Sequence, residues 1–191
     1  MRFDDGSTMR LYRQTVEDFG LFRGLELTRE ELENLRSAAG EMSAKMRAVR
    51  IVSATGVSKK DLQRRLVQKG EDPGQAKAAV EWMEELQLLD DRKTAEQIVN
   101  RCVAKGYGLA RAKQALYEKQ IPKEYWQEVL EAYPDQAEYI LSFLKAKLAG
   151  NTDRKMIQKT VDALLRRGHS YAVIRRCLNQ LSVDTDTFPE E

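Results

Sequence analysis

A short pattern recurs three times along this chain, and it restricts the fold more than any other feature. DLQRRLVQKGEDP, AKQALYEKQIPK and VDALLRRGHSY each place a leucine three residues before a Lys or Arg, follow with Gly or Gln, and then open a helix. The Gly or Gln positions are Gly70, Gln120 and Gly168, separated by 50 and 48 residues. A period of that size predicts a tandem array of small helical units, each too small to bury its own apolar face.

Each unit reads as three helices. In the first, Thr28 with Glu31 is a capping box, and Leu32, Leu35, Ala39, Met42, Met46 and Val49 follow at helical spacing. Gly40 sits inside that pattern and argues against one unbroken helix. Ser58 with Asp61 caps the middle helix, which carries Leu62 and Leu66 on one face. Asp72-Pro73 opens the third, with Ala76, Ala79, Val80, Met83 and Leu86 as its buried face. The second unit repeats this plan. Asp91 is its cap, Ala95, Ile98, Val99 and Cys102 form a stripe, Gly106 and Gly108 make the turn, Ala112, Ala115 and Leu116 follow, and Pro122 starts the last helix. In the third unit Asp135 and Ser170 are caps, Gly150-Asn151 is a turn, and Ile140, Leu144, Val161, Leu164, Ile174 and Cys177 are apolar positions. Trp82, Tyr125 and Trp126 are expected to pack between units. The divisions are 28–91, 92–134 and 135–182, with an acidic tail over 183–191. Residues 1–27 differ: Asp5-Gly6 reads as a turn and Thr8–Arg13 as a short alternating strand, a remnant of a β-hairpin.

Composition removes several function classes. No apolar run approaches the ~18 residues that span a bilayer, and mean hydropathy is −0.59. The N-terminus MRFDDGSTMR is acidic where a secretory signal is basic and then apolar. These features predict a soluble, cytoplasmic interaction protein. There is neither GxxxxGK[ST] nor GxGxxG for phosphates. The lone His169 reads as a helix-end residue, and Cys102 and Cys177, far apart and without CxxC, read as buried packing. Asp4-Asp5, Glu84-Glu85 and Asp90-Asp91 read as solvated faces and caps. No catalytic set, cofactor or metal is expected.

Net charge is only +2, but the cations gather on the middle helices. They are Lys59, Lys60, Arg64, Arg65 and Lys69, then Arg111, Lys113 and Lys119 with Lys105 before them, then Lys155, Lys159, Arg166 and Arg167, with Arg175 and Arg176 on the last helix. A right-handed stack of like units would align these helices into a basic stripe facing a polyanion or an acidic partner. The alternative is a set of solvated faces balanced by neighbouring acids. Interleaved aromatics for base stacking are mostly absent.

Four segments resemble the RecX family of recombinase regulators. They are Leu66-Val67-Gln68-Lys69-Gly70, Glu85-Leu86-Gln87-Leu88-Leu89-Asp90-Asp91, Lys105-Gly106-Tyr107-Gly108-Leu109-Ala110-Arg111, and Arg166 through Arg176 (RRGHSYAVIRR). The likeness covers about residues 57–182, and the segments around Asp4–Ser7 and Gly24–Leu32 are similar to Gram-positive members. Gln87 and Gln120 stand where the family has glycine, and Thr94 where an aromatic is usual. The resemblance implies an all-α fold of three three-helix repeats in an elongated, curved array. It implies a monomeric, non-enzymatic regulator, most often an inhibitor, that docks in the groove of the RecA–DNA filament and affects ATP hydrolysis and strand exchange. The basic residues named above, other than Lys155 and Lys159, are the candidates to face the filament or its DNA. A direct DNA binder built on the helix pair Ser58–Gly70 and Asp72–Leu86, or a general helical scaffold, are the alternatives.

Overall fold

The computed structural model describes residues 1–150 and 153–181, and among them the only β pairing is one antiparallel bridge between Arg2 and Thr8. The expected strand over Thr8–Arg13 does not form. Main-chain bonds join Phe3 N–H to Ser7 O (2.9 Å) and Met9 N–H to Met1 O (2.9 Å). Pairing stops there, and the chain enters a short helix, α1 (Arg13–Asp18), that buries Thr15 against α2 (Arg29–Ala54). The expected turn at Asn151 and the tail from Val183 lie outside the described residues. The fold divides into two compact units after Asp91.

In the first unit α2 runs unbroken through Gly40 for 26 residues. The glycine makes room. A Cβ there would lie 2.4 Å from the Gln75 amide, which instead donates to Ser37 O at 3.3 Å. The buried residues of α2 are Leu35, Ala39, Ala44 and Ala48, while Leu32, Met42, Met46 and Val49 stay half-buried. Small residues at 40, 44 and 48 let α4 (Pro73–Glu85) lie close, so the apolar stripe turns towards the alanines. The middle helix is α3 (Lys59–Gln68), and Leu62, Leu66, Ala76, Ala79, Val80 and Met83 join Ala44 and Ala48 in one core. Leu86, expected in that core, is 48 % exposed. The helix ends at Glu85 and Gln87 takes a left-handed φ of 56°, which turns Leu86 outward and brings Leu89 in.

The second unit holds two apolar clusters. One joins α5 (Asp91–Ala104), α6 (Leu109–Glu118), a 3₁₀ turn (Lys123–Tyr125) and α7 (Trp126–Glu131) around Ala95, Val99, Leu116 and Ile121. The other joins α8 (Ala137–Leu148), α9 (Arg154–Arg166) and α10 (Tyr171–Gln180) around Ile140, Leu144, Val161, Leu164, Ile174 and Cys177. The tryptophans are half-buried against the cores of their own repeats. Trp82 lies on the first-unit core, and Trp126 donates its indole N–H to Ile121 O at 3.0 Å.

The recurring sequence pattern has a definite geometry. Gly70, Gln120 and Gly168 each follow a middle helix with positive φ of 90°, 54° and 86°. Their N–H groups bond back to Val67, Tyr117 and Leu165, and the next residue bonds back to Leu66, Leu116 and Leu164. This is the Schellman helix end, in which an apolar residue three positions inside the helix meets the residue after the turn. The three leucines are fully buried, and the residues after the turn, Glu71, Ile121 and His169, are buried as well, with only a small part of each exposed.

Candidate functional site

The helix starts decide which cations on the middle helices are available. Ser58 accepts from Asp61 N–H at 3.0 Å and caps α3. Asp91, expected as a cap for its own helix, instead accepts from Lys59 N–H at 2.9 Å and supplies a second cap to α3. Burial pushes the Asp91 carboxyl above its ordinary range, against the Lys59 bond and charge. With its backbone engaged as a cap partner, Asp61 is wholly buried, and two arginines neutralise it: Arg64 at 2.5 Å and Arg65 at 3.0 Å. Lys59 pairs with Glu84, Arg111 with Glu118 (3.2 Å), and Arg176 with Asp135 (3.1 Å). Lys119 and Arg175 are half-buried. Among the described residues Lys60, Lys69, Lys105, Lys113 and Arg166 are exposed and make no ion pair, as are Lys155 and Lys159.

Within the second unit the Lys105–Arg111 and Arg166–Arg176 segments meet. Gly108 N–H donates to Arg167 O (2.9 Å) and Ala110 N–H to Gly168 O (3.3 Å). A Cβ on Gly108 would sit 2.1 Å from Gly168 O, and one on Gly168 would sit 2.4 Å from Arg111 N, so both positions require glycine for the main chains to touch. The buried His169 ring donates through Nε2–H to Gly106 O at 3.0 Å and stacks 5.8 Å from Tyr139. Burial pulls its pKa below the ordinary value; the Gly106 bond opposes this and Arg167 adds to it. Arg167 donates to the Tyr139 hydroxyl at 2.6 Å and lies 5.1 Å from the Phe143 ring centre. Tyr133 donates to Tyr107 O at 2.6 Å, and burial, with the nearby Cys102, pushes its pKa up to about 12.

Similar proteins match most of the chain. The family model described as "RecX, second three-helix domain" matches residues 90–130. The regulatory protein RecX of Clostridioides difficile is 27 % identical over 184 residues, covering 93 % of this chain and 86 % of that protein. RecX of Vibrio parahaemolyticus is 28 % identical over 149 residues, covering 74 % and 93 %. The chain is similar to the RecX family along most of its length. Its fold is also the RecX fold. A crystal structure of regulatory protein RecX superposes with a TM-score of 0.68 at 18 % identity, covering 93 % of this chain and 92 % of that one. RecX from Lactobacillus salivarius gives 0.65 at 20 % identity, covering 77 % and 99 %. The relatives are named regulatory proteins. No described helix is long and apolar enough to cross a membrane.

Two features of the chain are hidden in its sequence. The burial of Asp61 is hidden because Ser58-x-x-Asp61 also describes an exposed cap. The burial of Glu71 is hidden because its partners, Arg47 at 2.5 Å and Ser43 at 3.0 Å, lie more than 20 residues away on α2. The signal that could have found Glu71 is its place after Gly70, the position filled by Ile121 and His169 in the other repeats. Cys102 and Cys177 are buried free thiols whose pKa values burial pushes up.

Proposed function

We propose that this protein regulates a RecA recombinase by binding in the groove of the RecA–DNA filament, where it slows ATP hydrolysis and strand exchange. The observation that carries the reading is the recurrence of exposed, unpaired cations on or beside every middle helix: Lys60 and Lys69, Lys105 and Lys113, then Lys155, Lys159 and Arg166. A partner whose negative charge repeats along its length meets such a series more favourably than a compact one does. Binding inhibits if the protein occupies the groove, or if it favours the filament state that disassembles. The near-neutral total charge suits a partner made of protein and DNA together better than bare duplex.

The decisive test is the ATPase rate of RecA from the source organism on single-stranded DNA, with this protein added up to equimolar. A dose-dependent fall supports the reading. An unchanged rate, with filaments confirmed by electron microscopy, overturns it. The variant Lys60→Glu/Lys69→Glu/Lys113→Glu/Arg166→Glu should keep its helical circular dichroism and lose at least tenfold in inhibitory potency.

A further inference from the structure

The first unit has a second surface whose chemistry differs from that of α3. A groove of about 200 Å³ runs between α2 and α4. Its floor is the half-buried Trp82, and Lys45 already holds its ammonium 5.5 Å from that ring's centre. Glu41, Glu81 and Glu85 stand along it, three carboxylates against the single Lys45. Glu81 meets only a loose pair with Lys77 at 3.7 Å, and Glu85 makes no ion pair among the described residues. One wall is Gln75, the side chain that Gly40 admits. Where α4 ends, Leu86 and Leu88 are 48 % and 52 % exposed. Leu86 is the C-cap of α4, four residues after Trp82.

We propose that this groove docks an arginine- or lysine-bearing segment of a protein partner. One cationic side chain displaces Lys45 from the Trp82 face and lies among Glu41, Glu81 and Glu85. An apolar neighbour of that cation covers Leu86 and Leu88. Charge complementarity selects the occupant. The three carboxylates repel nucleic acid and anionic lipid, whereas an aromatic face edged by acids attracts a guanidinium or ammonium. The surface is separate from the cations of the middle helices and requires no recombinase filament.

The test uses the full chain carrying Trp126→Phe, which leaves Trp82 as the reporting tryptophan. The probe is a blocked hexapeptide of alternating arginine and leucine, with a glutamate–leucine hexapeptide and a twenty-nucleotide oligothymidylate as controls. The expected result is a saturable change in Trp82 emission with the arginine peptide alone, at least tenfold weaker in Glu41→Gln/Glu81→Gln/Glu85→Gln. Calorimetric titration of the chain with both tryptophans present, with and without those three substitutions, gives the same comparison should Trp126→Phe loosen the second unit. No saturable binding, equal binding after the three substitutions, or an equal response to the oligothymidylate overturns the proposal.

Discussion

Glu71 and His169 occupy the same place in their repeats, the buried residue immediately after a middle-helix turn, yet they tie the chain to different things. Glu71 reaches Arg47 and Ser43 on the long helix of its own repeat. His169 reaches Gly106 O, in the turn of the repeat before it. Ile121, between them in sequence, makes neither link and fills its own core. The backbone bonds of the helix end turn this position inward whatever the residue, and the side chain then decides what is fastened. More generally, the buried carboxylates among the described residues, Asp61, Glu71 and Asp91, all belong to the first unit. In the second unit the corresponding fastening is main chain against main chain, together with the buried imidazole of His169.

That contrast can be broken most severely through Asp61. Arg64→Glu with Arg65→Glu removes both neutralising charges and adds two of the wrong sign, and should destabilise the first unit by about 3–5 kcal/mol. Urea unfolding followed at Trp82 should show the loss, while Trp126 emission reports on the second unit. Next comes Gly108→Ala, which drives a methyl group into Gly168 O. It should cost the second unit about 3 kcal/mol, with Trp126 as the reporter.

A third pair of variants addresses Glu71 itself. Arg47→Ala leaves a buried carboxylate with only Ser43 and should cost about 2 kcal/mol, reduced from the fully buried case because Arg47 is 38 % exposed. Glu71→Ile copies the second repeat and should cost less than about 1 kcal/mol. If the two cost the same, the charge is not what fastens that turn.

A smaller effect is set by pH. The folded pKa of His169 lies below the unfolded one, so the unfolded chain takes up the proton first. Stability of the second unit should be full above the unfolded pKa, near 6.5, and should fall as pH drops towards the folded value. His169→Gln should flatten that slope in urea titrations between pH 7.5 and 5.5. The smallest change is at Gln87, an exposed residue with φ of 56°. Gln87→Gly relieves the left-handed strain and should raise the melting temperature by the equivalent of about 0.5 kcal/mol.

The three-helix plan was legible because its signals are local. Thr28 with Glu31 forms the full capping box, Asp72 and Pro73 open α4, and Ser170 caps α10. Gln87 and Gln120, noted as departures from glycine, prove to be left-handed residues. What stayed hidden depends on partners distant in sequence. Gly40 reads as a break until Gln75 is seen beside it. Arg64 and Arg65 read as open charge until the burial of Asp61 is known. The meeting of Gly108 with Gly168 joins residues 60 apart.

The pairing of Arg64 and Arg65 with Asp61 changes what a salt titration of binding would measure. The slope of log affinity against log salt counts the phosphates a protein neutralises, at roughly 0.7 per contact for a single strand. A cation already satisfied inside its own fold releases no counterion from DNA. The slope would therefore follow Lys60, Lys69, Lys105, Lys113, Lys155, Lys159 and Arg166 and stay below the value that the full Lys and Arg content of the middle helices suggests.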